Sequence, residues 1–69
     1  MKPALNDREQ EILHLLLKEM TSIEISKKLF ISVKTVEHYR MKLLYKAGAK
    51  NVVGLVLWAI KNGYHTLKK

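Results

Sequence analysis

Cysteine is absent from the 69 residues, which excludes disulfide staples and thiolate metal sites and fits a reducing compartment. The three histidines, His14, His38 and His65, lie 24 and 27 residues apart. Metal sites draw on clustered ligands, so no metal is expected. No apolar run approaches the roughly 20 residues of a membrane span. Met1, Lys2 and Pro3 are not followed by the apolar stretch of a signal region, and a cytoplasmic location is expected. One Asp and five Glu are scattered over helix starts and helix surfaces. They form no carboxylate pair, and there is neither a nucleophile with its base nor a glycine-rich phosphate loop. Neither catalysis nor a cofactor is expected.

Acidic side chains are missing altogether from residues 38–69, which hold seven basic ones, whereas residues 1–37 hold six of each sign. The net charge of +7 is therefore one-sided. Such a surplus marks contact with a polyanion, and a merely solvated basic surface is the alternative. The length allows a single domain, residues 1–69. A core of this size supplies only about 3–5 kcal/mol of net stability, so the chain depends on efficient apolar packing.

The residues present spell helices. Asn6-Asp7-Arg8-Glu9 is a capping box, with Ile12, Leu13, Leu16 and Leu17 following at helical spacing. This predicts a helix over about 7–18. Thr21 and Glu24 repeat the box ahead of Ile25 and Leu29, predicting a short helix over 22–29. Ser32 can accept from the amide of Thr35 or Lys34 and so start a third helix, about 33–46. Its buried side is marked by Val36, Leu43 and Ala47. Gly48 suits the left-handed position that ends it. Lys50-Asn51 leads into a fourth helix over about 52–62, closed by Gly63. The fold class is therefore all-α, a four-helix bundle. Thr66 to Lys69 are expected to fray.

The second and third helices, joined by Phe30-Ile31-Ser32, have the spacing of a helix-turn-helix. In that unit the early residues of the second helix face base edges in a major groove of about 12 Å. Lys34, Thr35, Glu37, His38, Met41, Lys42 and Tyr45 share the face turned away from Val36 and Leu43. A solvated face would account for any one lysine. The short preceding helix, the tight turn and the basic second half together point to double-stranded DNA.

These residues make the chain resemble the LuxR-type DNA-binding domain of LuxR, of the spore regulator GerE and of NarL/FixJ response regulators. The matching stretches are Leu5-Asn6-Asp7-Arg8-Glu9, Glu11-Ile12-Leu13, Glu24-Ile25, Leu29, Ile31-Ser32, Thr35-Val36, Lys46, Gly48 and Lys50-Asn51. Their order and spacing, over residues 5–64, carry the resemblance. It implies a transcription regulator that binds repeated half-sites and dimerises through the fourth helix. It also implies a receiver or ligand-binding domain ahead of this module, with a stand-alone form as the alternative. Position by position, it implies base reading by Lys34, Glu37, His38 and Met41, and phosphate contacts by Thr35, Tyr39, Lys42 and Lys46. The chain departs from the family pattern at four places. Tyr39 replaces a commoner histidine, and Val52 a common arginine. Glu19 stands where glycine usually ends the first helix. Glu37 is acidic on the reading face, where it repels phosphates but can accept from a cytosine amino group.

On a wheel of ~100° per residue, Val52, Leu55, Val56, Ala59 and Gly63 form the core face of the fourth helix, with Trp58 on the far side. Val53, Leu57 and Ile60 make a second apolar stripe. Either the rest of the chain covers this stripe or a second copy does, and a homodimer seam is the expectation. Two functions follow. The first is a sequence-specific transcription regulator. The alternative is a helix-turn-helix that contacts another protein, such as RNA polymerase or another regulator.

Overall fold

A computed structural model describes residues 5–64, so His65 and the expected fraying of 66–69 lie outside the described residues, as do residues 1–4. Four helices follow in order: α1 (Asp7–Leu17), α2 (Ser22–Leu29), α3 (Val33–Ala47) and α4 (Val52–Lys61). Among the described residues there is no strand. Three ends differ from expectation by one residue. The first helix stops at Leu17 rather than 18, the third continues through Ala47 rather than stopping at 46, and the fourth stops at Lys61 rather than 62. Terminal turns fray and tighten, so a shift of this size is ordinary.

Each helix start is held by a side chain that satisfies a free amide. Asn6 Oδ1 accepts from the Glu9 amide at 2.8 Å, and Glu9 Oε1 accepts from the Asn6 amide at 3.1 Å. Thr21 and Glu24 repeat this exchange at 3.1 and 2.8 Å. Ser32 Oγ accepts from the Thr35 amide at 3.0 Å. Asn51 caps α4, accepting from the Gly54 amide at 3.0 Å. A Cβ on Gly54 would lie 3.1 Å from that of Ala49, which explains the one gap in the apolar run of α4.

The third helix packs against each of the other three. Ile12, Leu13 and Leu16 of α1, Ile25 of α2, Val36 and Leu43 of α3, and Leu55 and Ala59 of α4 are buried together. Leu15 joins them, while Leu17 only flanks the cluster. α3 and α4 meet at a bend of 58°. The reading of Trp58 as the far side of α4 is corrected. Its ring is half-buried against the core and stacks on Tyr64, centroids 5.4 Å apart at 18°. An indole is wide enough to lean onto the core from a position to one side of it, and its apolar area favours that arrangement. No single described helix is long and apolar enough to cross a membrane.

Gly48 (φ 65°) closes α3 and Gly63 (φ 78°) follows α4, both left-handed as their residue type allows. Glu19 (φ 64°) and Phe30 (φ 57°) take the same conformation with a Cβ, at a cost of about 1–2 kcal/mol each. Glu19 thus stands strained in a backbone conformation that favours glycine. Glu19→Gly is expected to relieve that strain against a smaller unfolded-state entropy cost, leaving a net gain of about 0.5–1 kcal/mol. Thermal unfolding followed by circular dichroism should show a rise in Tm of roughly 2–8 °C.

Candidate nucleic-acid interface

The packing of α3 divides its circumference. Val36 and Leu43 point into the core. Opposite them, Lys34, His38, Met41 and Tyr45 recur at spacings of four, three and four residues and are all exposed. These spacings keep the four side chains in a stripe about 60° wide. Met41 is 67% and Tyr45 88% exposed, so the stripe stands clear of the other helices. Three of the four expected base-reading residues, Lys34, His38 and Met41, lie on it. Tyr45, which the sequence places on this face without a base or phosphate role, extends the stripe.

The two flanks of the stripe are bound to neighbouring helices through charge. On one side, Glu37 is half-exposed. Its Oε2 accepts a hydrogen bond from Ser22 Oγ at the start of α2, and its Oε1 lies 3.6 Å from Arg40 Nη1. On the other side, Lys42 and Lys46 turn towards α1. Lys46 Nζ donates to Glu9 Oε1 at 2.9 Å and to Oε2 at 3.1 Å, and Lys42 Nζ is 3.5 Å from Oε2. Of the other expected phosphate contacts, Thr35 is half-buried, its hydroxyl 2.9 Å from that of Ser32. Tyr39 leans on the core edge-on to His38, centroids 6.2 Å apart.

Glu9 is 1% exposed, a burial that its sequence role as a capping residue does not signal. Burial raises its carboxyl pKa. The hydrogen bond from Lys46, the Asn6 amide, the charge of Lys46 and the hydrogen bond from Lys42 outweigh that effect, and the net result lies below the usual carboxylate value. Glu9 thus fastens the far end of α3 to the start of α1. Ser22 and Arg40 were likewise missed. The spacing of Arg40 from Glu37 suits an ion pair on one helix, whereas Ser22 and Glu9 meet α3 only once the chain has folded. On α4, Val53 is 69% and Leu57 63% exposed, and Ile60 is half-buried beside them. Among the described residues, no group of His, Cys, Asp or Glu is arranged to hold a metal ion.

The sequence pattern of the GerE family, described as bacterial regulatory proteins of the luxR family, matches residues 3–59. The chain belongs to the luxR family. This luxR-family domain is 46% identical over 57 residues to the oxygen regulatory protein NreC of Staphylococcus aureus, covering 83% of the chain and 26% of NreC. It therefore spans about a quarter of the length of that relative. Its fold superposes on VqmA of Vibrio cholerae, in a complex of that protein with ligand and DNA, with TM-score 0.84 and 38% identity. That match covers 93% of this chain and 28% of VqmA. The transcription factor GerE superposes with TM-score 0.84 at 31% identity, covering 93% of this chain and 96% of GerE.

The Glu9–Lys46 pair predicts how this domain responds to acid. A carboxyl whose folded pKa is depressed contributes stability that is fully present above its unfolded value, about 4.3, and is lost as pH falls through the folded one. Stability is therefore expected to hold from neutral pH to about pH 5 and to fall below about pH 4. Glu9→Gln keeps the cap but removes the charge beside Lys46. It is expected to cost roughly 2–3 kcal/mol, less than the 3–5 of a fully buried pair because Lys46 reaches water, and to flatten the acid limb. Urea unfolding of both proteins across pH 3–7 measures this.

Proposed function

We propose that this chain is a sequence-specific DNA-binding transcription regulator that inserts α3 into the major groove and performs no catalysis of its own. The observation that carries this reading is the exposed stripe of Lys34, His38, Met41 and Tyr45 on a helix otherwise fixed by its neighbours. Fifteen residues give α3 a length of about 22 Å, and its width suits a groove of about 12 Å. Lys34, Glu37, His38 and Met41 are the proposed base readers. Thr35, Tyr39, Lys42 and Lys46 are the proposed phosphate contacts. The basic second half supplies the attraction that is independent of sequence. Such a regulator works where the chromosome is, in the cytoplasm.

The two lysines beside Glu9 differ in what their removal does. Lys42, exposed and at the longer distance from Glu9, is expected on substitution to alanine to weaken binding to all duplexes alike. The log–log salt slope should flatten by about one unit, with the fold unaffected. Lys46→Ala should weaken binding in the same way but also lower Tm, because it leaves the buried Glu9 carboxylate without its nearest cation. Fluorescence anisotropy across a salt series measures both. Binding that barely depends on salt would favour the alternative, a contact with RNA polymerase or another regulator. The exposed apolar side chains of Ile23 in α2 and of Phe30 just after it are the observation that supports that alternative.

The proposed assembly is a homodimer through α4, with Val53, Leu57 and Ile60 meeting the same residues of a second copy. A two-fold pair uses one patch twice, so a single stripe is enough. One short helix offers well under the roughly 800 Å² per partner of a standard interface. The domain alone should therefore dimerise weakly, and DNA should complete the pair on half-sites about one helical turn apart. Leu57→Lys is expected to leave the fold and single-site binding intact and to abolish cooperative binding to a two-site duplex. Cooperativity that survives in a gel-shift titration would place the seam elsewhere.

A further inference from the structure

Helix α2 does not need the hydroxyl of Ser22 for itself. Thr21 is its cap, accepting from the Glu24 amide at 3.1 Å, and Ser22 is the first helical residue after it. Its Oγ instead reaches across the helix-turn-helix and donates to Glu37 Oε2. The other oxygen of the same carboxylate faces Arg40 at 3.6 Å. Glu37 is the one acidic residue beside the exposed stripe of α3 and carries three rotatable side-chain bonds. Untethered, it would sample many positions and be pushed from phosphates by its charge. Tethered, each oxygen has one partner and keeps lone pairs that can accept another donor.

We propose that Ser22 is a specificity-positioning residue: its hydroxyl fixes the Glu37 carboxylate at the edge of the reading face so that Glu37 selects one base pair. The donor that suits a fixed carboxylate in the major groove is the N4 amino group of cytosine. Ser22 itself touches no base. The hydrogen bond joins the two helices, so the start of α2 sets where the acceptor stands on α3. The inference rests on the reading of α3 as the DNA-reading helix.

The test is selection from a duplex library with randomised central base pairs, at fixed salt, by the 69-residue chain and by Ser22→Ala, Ser22→Thr, Glu37→Ala and the double variant Ser22→Ala/Glu37→Ala. Thermal unfolding of each checks that the fold is kept. Ser22→Ala is expected to reduce the preference at one base-pair position by about fivefold, the loss of one modest hydrogen bond's positioning, with affinity for unselected duplex unchanged. Glu37→Ala should lose preference at that same position, and the double variant should lose no more than Glu37→Ala alone. Ser22→Thr, which keeps a hydroxyl, should retain the preference. An unchanged preference in Ser22→Ala overturns the inference alone. So does an equal loss on every duplex, which would make Ser22 a phosphate contact. If the unsubstituted chain selects no sequence at all, the DNA-reading assignment of α3 fails and this inference fails with it.

Discussion

A carboxylate removed from water must find cations or amide donors, and the way Glu9 finds them organises the domain. Its Oε1 closes the capping box that starts α1, and both of its oxygens take the ammonium of Lys46 near the end of α3. One side chain thus sets both where the first helix begins and how the third lies against it. With only a few kcal/mol of net stability expected from so small a core, a buried ion pair whose rupture costs roughly that much is a controlling contact. The apolar cluster of Ile12, Leu13, Ile25, Val36, Leu43 and Leu55 holds the helices together. It is non-directional, and Glu9 adds the direction it lacks.

Fixing α3 in this way decides what it can present. Its core side is filled, one flank is committed to Glu9 through Lys42 and Lys46, and the other to α2 through Glu37 and Ser22. The stripe from Lys34 to Tyr45 is exposed and stands outside these contacts. The charge arrangement follows the same logic. The acidic side chains that touch α3, Glu9 and Glu37, are paired with cations of α3 itself, so the basic surplus of residues 38–69 meets no unpaired acidic residue on the outer face of that helix. Under the proposed function, a polyanion meets a surface whose affinity and selectivity rest on different side chains.

Much of this was legible in the sequence because the signals are local. A cap and its partner lie three residues apart, so Asn6–Glu9, Thr21–Glu24 and Ser32–Thr35 could be read directly, and the helical periods of Ile12, Leu13 and Leu16 followed from them. The turn before Val33 and the glycine at 48 fixed α3 to within one residue. The contacts that escaped are those between distant positions. Lys46 is 37 residues from Glu9, and Ser22 is 15 from Glu37. Glu9 had a sufficient local role as a cap, which hid its burial. The left-handed Phe30 escaped because aromatic residues rarely take that conformation and nothing in its neighbours marks it. Trp58 was misplaced because a wheel treats side chains as points, whereas an indole can lean onto the core from one side.

The central claim is that the stripe from Lys34 to Tyr45 is the surface that meets DNA. It is tested most directly by amide chemical-shift changes in an NMR titration of the 15N-labelled chain with duplex DNA. The largest changes should fall on residues 34–45 of α3, with α4 little affected on a single half-site. Changes centred on α4, or on Ile23 and Phe30 around α2 with α3 silent, would contradict the account.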